Sequence, residues 1–299
     1  MSLWFSLWHP LILMKQIETL VEDIYNLFTL APIDMDEEEV DKHIDTFGDM
    51  LKVHIKEFLY EKPRDRTNLR LSAIGKPNRQ LWYDLNKPLT DVQLQPSTRI
   101  KFLYGYILEE LLLLCASISG HKVTDQQKEV EVEGVVGHQD AMIDGVLVDC
   151  KSASGPGFDK FKYNKLNEDD PFGYIPQISA YAHANGVNRA AFLAINKSTG
   201  EICLTHVHQM EMINVKQRVD HLKEMVTDSR TPDRCYPSVP DGKSGNHRLS
   251  VGCVYCGHKA ECWKDANQGR GLRVFQYARG KRFLTQVGKE PDVKEVMDW

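Results

Sequence analysis

The stretch GHQDAMIDGVLVDCKSAS, residues 137–154, constrains this chain more than any other. Alternating apolar and polar residues give way there to a short apolar run, with IDGV between them as a hairpin-type turn signal. As a strand, Val146 to Lys151 puts Asp149 and Lys151 two residues apart on one face. Cys150 then points to the other face. Asp140 lies on the preceding strand, which the Asp144-Gly145 turn folds back, so the hairpin carries Asp140 close to Asp149. Two acids and a lysine at the end of an apolar strand are costly to bury together, so a functional motive is the better reading.

The pattern around this hairpin is mixed. Residues from about 15 to 60 read as helices, with the acidic run Asp34 to Glu39 suiting a first helical turn. Pro96 to Arg99 reads as a loop before KFLYGYILEELLLLCASISG, the strongest helix in the chain, whose apolar content predicts burial on most sides and whose stop suits Gly120. QKEVEVEGVVGHQDAMI alternates as a strand, and a Gly/Pro/Lys loop follows Lys151. Residues 171–186 return to a helical pattern. AAFLAIN and EICLTHV read as strands, and a helix follows from about Gln209 to Val226. The order predicts an α/β core, a central mixed sheet flanked by helices. At 299 residues with 42% apolar content, one large domain or two ordinary ones are expected. The division expected is an N-terminal helical region over 1–95, a core over 96–230, and a cysteine-bearing segment with a C-terminal hairpin over 231–299.

Converging carboxylates bind hard cations such as Mg²⁺ or Mn²⁺ through oxygen. Such a metal activates water and neutralises charge developing on a phosphoryl group. A neighbouring ammonium orients the water or stabilises the same charge. The set Asp140, Asp149 and Lys151 therefore predicts metal-dependent hydrolysis of a phosphodiester.

The spacing of further residues resembles the PD-(D/E)xK nuclease superfamily, in particular its RecB-like branch, which includes phage exonucleases and cysteine-cluster CRISPR-associated and AddB-like nucleases. The family pattern runs G-x-x-x-E on a helix, G-x-x-D and D-x-K on strands, then Q-x-x-x-Y on a helix. This chain has Gly105 with Glu109, Gly137 with Asp140, Asp149-Cys150-Lys151, and Gln177 with Tyr181, in that order. The resemblance implies a restriction-endonuclease-like core. It also implies Glu109, Asp140, Asp149 and the Cys150 backbone carbonyl as Mg²⁺ or Mn²⁺ ligands, and Lys151 as the group assisting water. Gln177 and Tyr181 would position substrate or Lys151. Glu110 competes with Glu109, which the Gly105 spacing favours. His121 and His138 read as local structure.

Near the C-terminus, Cys253, Cys256 and Cys262 form C-x2-C-x5-C, with Cys235 upstream. Four clustered cysteines in an intracellular chain point to a metal, either Zn²⁺ or a 4Fe–4S cluster. The resemblance favours iron–sulfur. It also places the family's fourth cysteine upstream of the core, where GKPNRQLWY has none, which leaves Cys235 as fourth ligand and His247 as a substitute. Either metal would staple the terminal segment to the core. Cys115 and Cys203 read as core residues.

The net charge of −5 gives no global signal for nucleic acid. Two basic stretches offset it: the loop from Lys151 to Lys165, with Lys160, Lys162 and Lys165 among Phe158, Phe161 and Tyr163, and RGLRVFQYARGKRFL with Arg270, Arg273, Arg279, Lys281 and Arg282, which reads equally as an ordinary hairpin with polar edges. Arg79, beside Trp82, reads either as a further phosphate contact or as the partner of an acid. The expected partner is DNA, as single strands or ends, attacked exonucleolytically, with a homo-oligomer and recombination or replication proteins as companions. The alternative function is a non-catalytic nucleic-acid-binding or assembly module. No run of about 18 apolar residues exists to span a membrane. Met1 to Met14 lacks the marks of a signal peptide and reads as an extension on the core, with Met14 an alternative start. The expected location is the cytoplasm, with a phage or prophage as a possible source.

Overall fold

A computed structural model describes residues 15–29, 32–60, 68–88, 96–278, 280–297 and 299. The expectations for Met1–Met14 and for Arg279 lie outside the described residues. In chain order the elements are α1 (Leu20–Asn26), α2 (Glu37–Tyr60), α3 (Asn78–Asn86) and α4 (Pro96–Ile118). Strands β1 (Val123–Thr124), β2 (Glu129–Val132), β3 (Val135–His138), β4 (Ala141–Ile143) and β5 (Val146–Ala153) follow. Next come α5 (Pro156–Lys162), α6 (Tyr174–Ala184), β6 (Arg189–Asn196), β7 (Ile202–His208) and α7 (Val215–Thr227). The chain ends with β8 (Val239–Pro240), β9 (His247–Arg248), α8 (Val251–Val254), α9 (Lys259–Cys262), β10 (Arg273–Tyr277) and β11 (Gly280–Gln286).

The central sheet is mixed, in the order β1-β4-β5-β6-β7, with β5 and β6 parallel and the other pairs antiparallel. Period-2 alternation divides β5 between two cores. Leu147 packs with α5, α6 and α7, whereas Val146, Val148 and Cys150 pack with α1 and α4. Asp149 and Lys151 thus stand on the α6 side, and Cys150 on the α4 side. Asp144 and Gly145, both at positive φ (49° and 78°), make the two-residue turn that pairs Ile143 with Val146. A second sheet, β10-β11-β9-β8, covers a separate apolar cluster around Trp263, Leu249 and Val274.

Four readings of the sequence differ from the structure. Pro96 is no loop residue but the first residue of α4, where its missing N–H costs no hydrogen bond. That helix is buried only from Glu110 onward, and its first half leaves Ile100, Phe102 and Tyr104 about half exposed. The long alternating stretch from residue 127 is three strands: Glu133 and Gly134, both at positive φ, turn β2 into β3, and Gln139-Asp140 interrupts β3 before β4. The Gly/Pro/Lys stretch after Lys151 is α5, with Gly155 at its N-cap and Pro156 at its start.

Candidate active site

Asp149 is buried in the middle of β5, 1% exposed, in register with Phe192 of β6. The Lys151 ammonium is in ion-pair contact with Asp149 Oδ2 and lies 5.3 Å from the centre of the Tyr174 ring. Beyond this ion-pair contact that oxygen is buried and takes no hydrogen bond. Asp140, at the joint before β4, accepts a 2.7 Å hydrogen bond on Oδ2 from the Cys150 backbone N–H. Glu109 comes from α4, and its Oε1 accepts from Gln127 Nε2 at 2.6 Å. Its neighbour Glu110 turns away to His54 of α2, 3.0 Å distant and also buried.

The acids feel one another. Burial, then Asp140 and Glu110, raises the Glu109 carboxyl well above its ordinary range. Burial, then Asp149, pushes Asp140 up to about 7. Burial opposes the charge on Lys151, but Asp149 and Asp140 outweigh it and raise its pKa. Among the described residues, no three His, Cys, Asp or Glu side chains form a cluster already set to hold a metal ion. The donor set nonetheless suits a hard divalent cation. Each acid has one oxygen anchored by a protein N–H, and Asp149 Oδ2 is a buried oxygen that faces the Lys151 ammonium and takes no hydrogen bond.

Gln177 and Tyr181 stand one turn apart on α6. Gln177 Nε2 donates to Asp149 Oδ1 at 3.4 Å. Tyr181 is 1% exposed and packs beneath β3 rather than facing solvent, its hydroxyl held protonated by burial and by Asp149. A Cβ on Gly137 would come within 2.9 Å of the Tyr181 ring and 2.7 Å of Leu71, so only glycine allows this approach.

Glu109, Cys150 and Lys151 open onto a cleft of ≈ 770 Å³. Its walls include Arg70, Lys76, Lys101, Phe102, Tyr106 and Lys197, none of which the sequence reading singled out. The signal was present in part: Phe102, Gly105, Tyr106 and Glu109 fall on one helical face. Lys76 is tied at 2.7 Å to Asp84.

The basic residues assigned to nucleic acid lie elsewhere. Phe158 and Phe161 of α5 are core residues, and a helix turned inward offers neither ring for stacking. Lys160 pairs with Asp169 and Lys162 with Glu201, both at 2.6 Å. Lys165 rests on the Tyr163 ring. In the C-terminal stretch, Arg273 is held by Glu290 and Glu295, and Arg282 by Asp241. Lys160, Lys162, Arg273 and Arg282 thus each meet a carboxylate of the protein itself.

Arg79 belongs to the cysteine pocket. Its Nε donates to Cys262 Sγ at 3.1 Å and its Nη1 to the Pro232 carbonyl at 2.6 Å. Cys235, Cys253, Cys256 and Cys262 line this one pocket together with Tyr83 and His258, whereas His247 is not among its walls. Burial raises the Cys235 and Cys256 thiols, and charge on Cys253 adds to both. An all-sulfur set beside a guanidinium donor suits a thiophilic metal or cluster. His258, which spacing did not flag, donates or accepts at 2.8 Å with Asp84 and stacks on Tyr83. His121 is buried between Asp144 and Asp23 and clamps the β4–β5 turn to α1.

Among the described residues, no helix is long and apolar enough to cross a membrane. No family model and no curated protein matches the chain. Solved structures share part of its path. SSO0001 is 14% identical with a TM-score of 0.38, covering 70% of this chain and 92% of that one. The alkaline exonuclease LHK-Exo from Laribacter hongkongensis is 12% identical with a TM-score of 0.36, covering 54% and 90%. A phage related exonuclease from Haemophilus somnus 129PT is 14% identical, again with a TM-score of 0.36 over 54% and 90%.

Proposed function

We propose that the chain is a Mg²⁺- or Mn²⁺-dependent deoxyribonuclease of the PD-(D/E)xK superfamily, RecB-like branch, acting as an exonuclease on single-stranded DNA or DNA ends. The observation that carries this reading is the group Glu109, Asp140, Asp149 and Lys151, with Asp149 buried, the other two acids raised in pKa by burial and by the charge of neighbouring acids, and Glu109 and Lys151 lining a large cleft. A surface hairpin of ordinary charged residues would leave these groups solvated. Burying three acids with one ammonium leaves an excess of negative charge that a divalent cation balances.

In this reading Glu109, Asp140, Asp149 and the Cys150 carbonyl hold the ion. Bound there, Mg²⁺ or Mn²⁺ would polarise the scissile phosphodiester and lower the pKa of a bound water. Lys151, kept protonated by Asp149 and Asp140, lies ready to stabilise charge on the phosphoryl oxygens. The Cys150 N–H fixes the carboxylate of Asp140, and Gln177 that of Asp149, so both acids are held in orientation. The four cysteines would hold an iron–sulfur cluster, with Zn²⁺ the alternative, in a structural role. A homo-oligomer or an association with recombination or replication proteins would fit an exonuclease, and a phage origin fits the family resemblance.

The test is cleavage of end-labelled single-stranded and duplex DNA with Mg²⁺ or Mn²⁺, with and without chelator, by wild type and Lys151→Ala. Metal-dependent release of nucleotides, slowed about 100-fold or more in the variant, is expected. Equal cleavage by both proteins would remove Lys151 from the chemistry. Binding without cleavage by either would favour a non-catalytic module.

A further inference from the structure

Phe102, Gly105, Tyr106 and Glu109 follow the i, i+3, i+4, i+7 spacing of one helix face, and all four line the cleft. Phe102 is 53% exposed there. Tyr106 is fixed by stacking on His54, with ring centres 4.8 Å apart. Gly105 lies in the interior of a 23-residue helix, where glycine is less favourable than alanine. Nothing in the protein requires it: a Cβ at this position would meet only Ser152 Oγ, at 4.0 Å. Arg70, Lys101 and Lys197 are exposed cleft residues, and among the described residues they make no ion pair. An open aromatic ring, a notch with no Cβ and unneutralised cations in one groove complement a polyanion with stackable faces.

We propose that this face of α4 binds single-stranded DNA, with Phe102 as a base-stacking platform, Gly105 as a notch admitting the strand's backbone, and Arg70, Lys101 and Lys197 as phosphate contacts. The proposal rests on the nuclease reading and names how its substrate is held. A base inside a duplex already has both faces stacked, so a platform of this kind selects an unpaired base. Phe102 precedes Glu109 by seven residues, about 10 Å along the helix axis. At the stacked rise of about 3.4 Å per nucleotide, the platform engages a base about three nucleotides from the acids.

The experiment measures anisotropy of a labelled 20-nucleotide single strand, its duplex and the matching RNA strand in chelator, with melting curves and Mn²⁺-dependent cleavage on the same preparations. Phe102→Ala should weaken single-strand binding about tenfold and leave duplex binding within about twofold. Gly105→Ala should raise the melting temperature by about 2 °C through its gain in helix propensity, yet weaken single-strand binding several-fold. A stabilised Gly105→Ala protein that binds like wild type would overturn the notch. Equal losses for single strand and duplex in Phe102→Ala would overturn the platform, and tighter binding of RNA than DNA would overturn the substrate. Wild type that binds selectively but never cleaves would defeat the nuclease reading and leave this site standing. Normal cleavage with both variants binding like wild type would do the reverse.

Discussion

Asp140 links burial to a measurable pH response. Burial, then the charge of Asp149, pushes its carboxyl up to about 7 from an ordinary 3.8. Between those values the folded state keeps a proton that the unfolded state has shed, so stability is fully present below about 4 and is lost as pH rises through about 7. Metal-free protein in chelator should therefore melt at lower temperature as pH goes from about 5 to 8. Asp140→Asn should flatten that slope and gain roughly 2–4 kcal/mol at pH 8, read from urea unfolding. An unchanged slope would mean that Asp140 is not buried among acids. The two acids and the lysine were legible in the sequence because a two-residue turn and a period of two fix which faces they share. The partners of Arg79, Lys160 and Lys162 were not legible, because sequence shows a charge but not what it meets: a cysteine sulfur for Arg79, and Asp169 and Glu201 for the lysines.

At the scale of elements, β5, β6, β7 and α6 were readable from period and punctuation. The failures share a cause. Pro96 and Pro156 were taken as breaks, yet each starts a helix, a position where the missing N–H is harmless. The Glu133-Gly134 turn passed unnoticed because Val135 and Val136 are both apolar, so the change of phase across it leaves no mark in the sequence. The α2–α4 contact was invisible, since it rests on His54 meeting Glu110 across 56 residues. Glu110 is 2% exposed, so His54→Ala would leave it buried without its partner. A loss of about 3 kcal/mol is expected in urea unfolding, largely recovered in a His54→Leu/Glu110→Leu double variant. A cost under about 0.5 kcal/mol would show that the pair does not hold α2 to α4.

Over the whole molecule, α3 joins the cysteine pocket to the cleft. Arg79 and Tyr83 face the cysteines, while Asp84 bridges His258 to the cleft residue Lys76. A metal at the cysteines would therefore brace the wall of the cleft as well as the terminal segment. Cys256→Ser should lower bound iron or zinc and speed amide exchange over 231–299, leaving β5 to β7 protected; unchanged exchange in that segment would deny the staple. An absorbance band in the visible with stoichiometric iron, against a colourless zinc-loaded protein, separates the two metals. The proposed chemistry itself is tested most directly by single-turnover cleavage of end-labelled single-stranded DNA across a Mg²⁺ titration, comparing wild type with Asp149→Asn. Saturable, metal-dependent cleavage by wild type and a rate lower by about 100-fold or more in the variant are predicted. Equal rates in the two proteins at every Mg²⁺ concentration would contradict a catalytic site built on Asp149.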